Sequence, residues 1–134
     1  MSLKIITYQP GALLLKIRRG IENRIIEDWT IESEGRFSCN SEDQYQKAFF
    51  RPEVGRHELL MGIIPSKNVE LTPYIYSFYH SKFIEMLIYN FENEFIEVSA
   101  SALRKTPDVK EHDKTEEEEW KELREKRKAK DKYR

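Results

Sequence analysis

The chain is poor in the residues that build cross-linked or metal-held scaffolds. One cysteine, Cys39, stands among 134 residues, which excludes an intrachain disulfide framework and any multi-cysteine zinc site. Glycine and proline number five each, enough to punctuate turns and too few for a flexible linker. Neither sign of charge is in real surplus, with 23 Lys and Arg against 24 Asp and Glu, so the whole chain lacks the positive excess that phosphate neutralisation demands. The length is too short for a TIM barrel or a two-domain dinucleotide-dependent enzyme. No internal repeat with a period of about 20–50 residues is visible.

Long uninterrupted apolar runs are also missing. Met1 to Gln9 is too short for the apolar core of a secretory leader, and no small-residue cleavage site follows. The most apolar window, Tyr74 to Phe91, spans 18 residues but contains His80, Lys82, Glu85 and Asn90. Each charge would cost about 2.5 kcal/mol or more at mid-bilayer. The window therefore reads as a buried soluble helix, with no membrane partner expected. A lone thiol and no export signal make the cytoplasm the expected location.

Composition changes abruptly near residue 103. Residues 1–103 hold 11 basic and 14 acidic residues and most of the apolar ones; residues 104–134 hold 12 basic and 10 acidic. Beyond Leu103 only Val109, Trp120, Leu123, Ala129 and Tyr133 are apolar, too few to repay the ordering entropy of a second core. The expected organisation is a single domain over 1–103 followed by a charged tail over 104–134.

Within the domain, Leu13, Leu14, Ile17, Ile21 and Ile25 recur at helical spacing, with Lys16, Arg19, Glu22 and Asn23 opposite. They predict an amphipathic helix entered through Pro10 and Gly11. Gly20 lies at the edge of its apolar arc, costing about 1 kcal/mol relative to Ala unless close packing compensates. From Ile26 the period becomes two. Trp29 and Ile31 alternate with Thr30 and Glu32, Ser33 to Arg36 form a turn, and Phe37 and Cys39 alternate again. Tyr45 to Arg51 and Glu58 to Ile64 form a second hairpin around Pro52 and Gly55. Thr72-Pro73 opens a second helix reaching about Glu92, and Ile96, Val98 and Ala100 alternate as a returning strand. The expected fold is α+β, in the order α-β-β-β-β-α-β: an antiparallel sheet of about five strands with two helices on one face.

The second helix carries eleven large apolar residues: Ile75, Tyr76, Phe78, Tyr79, Phe83, Ile84, Met86, Leu87, Ile88, Tyr89 and Phe91. A one-sided sheet contact buries only part of that set, so the excess is either covered by the first helix or left as a surface for another chain. A homodimer is the simplest version. Ser77, Ser81 and Glu85 form a polar stripe with His80 to one side. His80 and Glu85 are five positions apart, roughly 140° around the axis, and cannot touch directly. One reading is a polar notch in which His80 acts as acid, base or ligand, with Glu85 and Tyr76 or Tyr79 nearby. The other is a solvated stripe beside a histidine at the core edge, the commoner outcome for such a pattern.

Other chemistry finds little footing. His57, His80, His112 and Cys39 lack the close paired spacings of zinc ligands, so no metal and no cofactor is expected. No G-x-S-x-G elbow occurs, and Cys39 falls on an inward strand face where a thiol is inert. Asp108 followed by Glu119-Trp120-Lys121 matches a loose nuclease pattern, but the charged residues between them would not form the rigid strands that aim such ligands. The tail has a clearer logic as a helix. Thr115 and Glu118 match a capping box, and glutamates crowd its start and Lys and Arg its end. Trp120 and Leu123 share a face and are candidate anchors to a protein. Residues 121–134 carry eight basic and three acidic groups, so Lys126, Arg127 and Lys128 are candidates for weak nucleic-acid contact. Three functions compete: protein association, nucleic-acid contact through the tail, and a small enzyme centred on His80 and Glu85.

Overall fold

The computed structural model describes residues 3–103. Alternation begins at its first residues. Leu3 and Ile5 are buried and Lys4 exposed, which makes Leu3–Ile6 a strand, β1. The remaining elements are α1 Pro10–Glu22, β2 Trp29–Ile31, β3 Phe37–Cys39, β4 Ala48–Val54, β5 Glu58–Pro65, α2 Pro73–Phe91 and β6 Glu97–Ala100. The fold is mixed α+β: among the described residues, one antiparallel sheet of six strands in the order β2-β3-β4-β5-β1-β6, with two α-helices. The strand not expected from the sequence is β1, and it sits inside the sheet, pairing Leu3 with Met61 of β5 and with Ala100 of β6.

This order fixes where the helices lie. Strands four places apart in an antiparallel run are parallel, so β1-α1-β2 is a parallel crossover; β5-α2-β6 is another, spanning β1. The two crossovers start from strands of opposite direction and move in opposite senses along the sheet. Right-handedness at both then puts α1 and α2 on the same face. Register supports this: Leu3, Ile5, Leu59, Met61, Phe50 and Phe37 fall on one face and are fully buried. The other face mixes half-buried Ile6, Phe49, Leu60 and Ile64 with exposed Lys4, Arg51, Glu53 and Ser99, the pattern of a sheet open to water on one side.

The core centres on Trp29. Its ring meets Phe83 edge-on at 5.1 Å and Tyr79 edge-on at 5.8 Å, and lies 5.8 Å from Phe50. Such tilted and T-shaped contacts add to the area term by about 0.5–1.5 kcal/mol per pair.

Three local details depart from the sequence expectation. The first helix stops at Glu22, short of Ile25, because Arg24 turns left-handed (φ 60°) and the Gly20 carbonyl accepts the amides of both Ile25 and Ile26. This left-handed closure buries Ile26 and leaves Ile25 72% exposed. Strand β4 starts at Ala48, because residues 41–47 are taken up in turns, with Gln46 at φ 59°. Pro52 lies inside β4 but beyond its only pair with β3, Phe37 with Phe50, so its missing N–H breaks no bond to β3.

Among the described residues no helix is long and apolar enough to cross a membrane. The expected tail helix, and with it Trp120, Leu123, Lys126, Arg127 and Lys128, lies outside the described residues.

Candidate functional site

Thr72 caps α2 with its hydroxyl, which accepts the Ile75 amide at 3.2 Å, and Pro73 fills the first position. From that start the helix presents Ile75, Tyr76, Tyr79, His80, Phe83, Met86 and Leu87 to the core. Six of the eleven large apolar residues are thus buried, Phe78, Ile84 and Phe91 are half-buried, and Ile88 and Tyr89 are exposed at 50% and 87%; Tyr74, just before them, is 64% exposed. Among the described residues, the helix owns more apolar surface than its neighbours cover.

The residues considered for catalysis are placed on opposite sides of that helix. His80 is 4% exposed. Its ring stacks on Tyr76 at 3.9 Å and meets Phe50 edge-on at 5.1 Å, and Nδ1 lies 2.6 Å from the Tyr76 carbonyl. Glu85 is exposed, 3.7 Å from Lys82. The hydroxyls of Ser77 and Ser81 donate to carbonyls one turn back, those of Tyr74 and Phe78, so that stripe is solvated. Tyr79 is fully buried. Its hydroxyl donates to the Gln44 carbonyl, accepts the Ala48 amide at 3.4 Å and lies 3.3 Å from Ser38 Oγ. It ties the 40–47 loop to α2. His80 and Tyr79 are buried and Glu85 is exposed, so the three side chains are not brought together.

What α2 does form is a groove of about 270 Å³ between its outward face and the 25–28 segment. Ile25, Ile26, Met86 and Tyr89 supply apolar walls; Glu27, Asp28, Glu85 and Lys82 supply three negative charges and one positive. The segment is held by Asn40, whose side chain donates to the Glu27 carbonyl at 3.1 Å and whose amide donates to the Asp28 carbonyl at 2.7 Å. Cys39 is buried, and its thiol is pushed up to about 11, first by burial and then by the Asp28 carboxylate, with Lys82 opposing. Such a thiol is protonated and unreactive at neutral pH. Among the described residues no three His, Cys, Asp or Glu side chains are grouped to hold a metal ion.

Sequence reasoning singled out Glu85 and missed its surroundings. Phe78, Lys82, Glu85 and Tyr89 follow one another by four, three and four residues, a row readable from spacing alone. The groove wall was not readable, because it depends on the left-handed turn at Arg24. No protein-family model, curated protein or solved structure matches the chain.

Proposed function

We propose that this protein works by binding another polypeptide through the outward face of α2, as a non-catalytic association domain. The observation that carries the reading is the exposure of Tyr74, Ile88 and Tyr89 on a helix whose opposite face is already packed. Exposed aromatic side chains beside a groove are the usual composition of protein interfaces, where tyrosine supplies large contact area at small entropic cost. The burial of His80 and the loop-tying role of Tyr79 favour association over the enzymatic alternative. A cytoplasmic setting belongs to the proposal, supported by the single buried thiol of Cys39.

The test is site-specific photo-crosslinking in cells, with a photoreactive residue in place of Tyr89 and a control in place of Arg51, exposed on the other face of the sheet. A discrete protein adduct at position 89 and none at 51 is expected. Adducts at neither position, or equally at both, would overturn the reading.

A further inference from the structure

The outward face of α2 carries a row of side chains with an internal symmetry. Phe78, Lys82, Glu85 and Tyr89 lie within an arc of about 60°, and their four-three-four spacing reads the same from either end. Reversal of the helix direction puts position 78 over position 89 and position 82 over position 85. The side chains match under that reversal: aromatic meets aromatic, and cation meets anion. The charges are available for this. Lys82 and Glu85 keep 39% and 68% of their side-chain surface in water, and within the chain they approach only to 3.7 Å.

The two ends of the row are also complementary in shape and charge. At the amino-terminal end Tyr74 and Phe78 pair their rings at 6.1 Å, and the Lys82 ammonium lies 5.9 Å above the Phe78 ring, forming a cationic aromatic knob. At the carboxy-terminal end lies the groove of about 270 Å³, with apolar walls and three carboxylates against one lysine. A groove with excess negative charge and room for a ring fits a partner that brings a ring and a cation side by side.

We infer that two copies of this chain associate through antiparallel α2 helices about a two-fold axis near residues 83 and 84, each Phe78 entering the partner's groove beside Tyr89 and each Lys82 facing the partner's Glu85. This rests on the association reading and names its partner. The contact is isologous, so every interaction occurs twice and the assembly closes at two chains.

Charge reversal tests both the partner and the register. Wild-type chain is examined by light scattering at up to about 200 µM, which populates a dimer of micromolar Kd, alongside Lys82→Glu, Glu85→Lys and an equimolar mixture of the two variants. Each reversal sets like charges together at both symmetry-related contacts, so each variant alone should associate at least about tenfold more weakly than wild type. In the mixture one row is wholly acidic and the other wholly basic, and a heterodimer should form with affinity within about threefold of wild type. Circular dichroism of each variant confirms that the fold is retained, and Phe78→Ser should abolish association in every combination. A wild-type chain that stays monomeric, variants that dimerise like wild type, or a mixture that stays monomeric would overturn the inference. A monomer that still gives a crosslink at position 89 to a different protein would sink this inference and leave the association reading standing.

Discussion

At the scale of single residues, buried hydroxyls hold this protein's backbone: those of Thr7, Ser38 and Tyr79 each donate to a main-chain carbonyl. Tyr79 illustrates it. Its hydroxyl serves the Gln44 carbonyl, the Ala48 amide and Ser38 Oγ inside the core. Tyr79→Phe leaves those groups without this partner, and an unmet buried polar group costs about 1–3 kcal/mol. The expected loss is about 2 kcal/mol in urea unfolding, with unchanged association, since the ring faces away from the outward side of α2. Cys39 gives a pH-dependent counterpart. Its folded thiol is raised from 9.0 to about 11, so the folded state holds its proton where the unfolded chain releases it. Below pH 9 this difference contributes nothing; between pH 9 and 11 stability falls, by about 2 kcal/mol at the upper end. Lysines and tyrosines titrate in the same window, so the measurement is the difference between wild type and Cys39→Ala: the variant should show a shallower alkaline decline. Equal slopes would mean that the thiol is not desolvated in solution.

At the scale of elements, the ends matter more than the middles. Gly20 is followed by a left-handed turn that folds Ile26 back onto it. A Cβ added at Gly20 would stand 2.7 Å from Ile26 Cδ1 and 3.2 Å from its Cγ1. Helix propensity alone favours Gly20→Ala by about 1 kcal/mol, while overpacking costs about 1–3 kcal/mol. With Ile26 4% exposed and unable to swing out freely, the packing penalty wins. Gly20→Ala should destabilise by about 1 kcal/mol. In the double variant Gly20→Ala/Ile26→Val, which removes Cδ1, the two losses should add to less than their sum; strict additivity in thermal or urea unfolding would show that the contact is not limiting. The same turn explains what the sequence conveyed and what it did not. Leu13, Leu14 and Ile17 declared the buried face of α1 by period, and Thr72-Pro73 declared the start of α2 by capping chemistry. Ile25 sits in phase with the apolar arc, and nothing local to it reveals that Arg24 breaks the helix first. His80 is similar. Spacing separated it from Glu85 by angle, but which of the two faces the core depended on Phe50 and Tyr76, and on a carbonyl one turn back to which its Nδ1 lies close.

At the scale of the whole molecule, the sheet is organised around its first strand. β1 was hard to read because Leu3–Ile6 offers only two alternations before Pro10 ends the pattern, and its partners, β5 and β6, lie more than fifty residues away. Its position nevertheless makes it the seam of the fold. It joins the four-strand meander to β6, and Leu3 and Ile5 are fully buried against both neighbours. Among the described residues β6, by contrast, has one neighbour, and β2 at the other margin has three residues. Interior strands exchange their amide hydrogens only when the whole domain opens, while edge strands exchange through local fraying. Native-state hydrogen exchange should therefore place the hydrogen-bonded amides of Leu3–Ile6 among the slowest in the chain, together with those of β5, and the hydrogen-bonded amides of β6 should exchange sooner. Ile5→Ala should cost about 2–5 kcal/mol and lower the protection of β5 and β6 together, because it removes packing from the strand that both depend on. If β6 amides were instead as slow as those of β1, the outer edge of β6 would be covered by a further strand. If β1 amides exchanged fastest, the sheet would close without it and β6 would have to pair elsewhere.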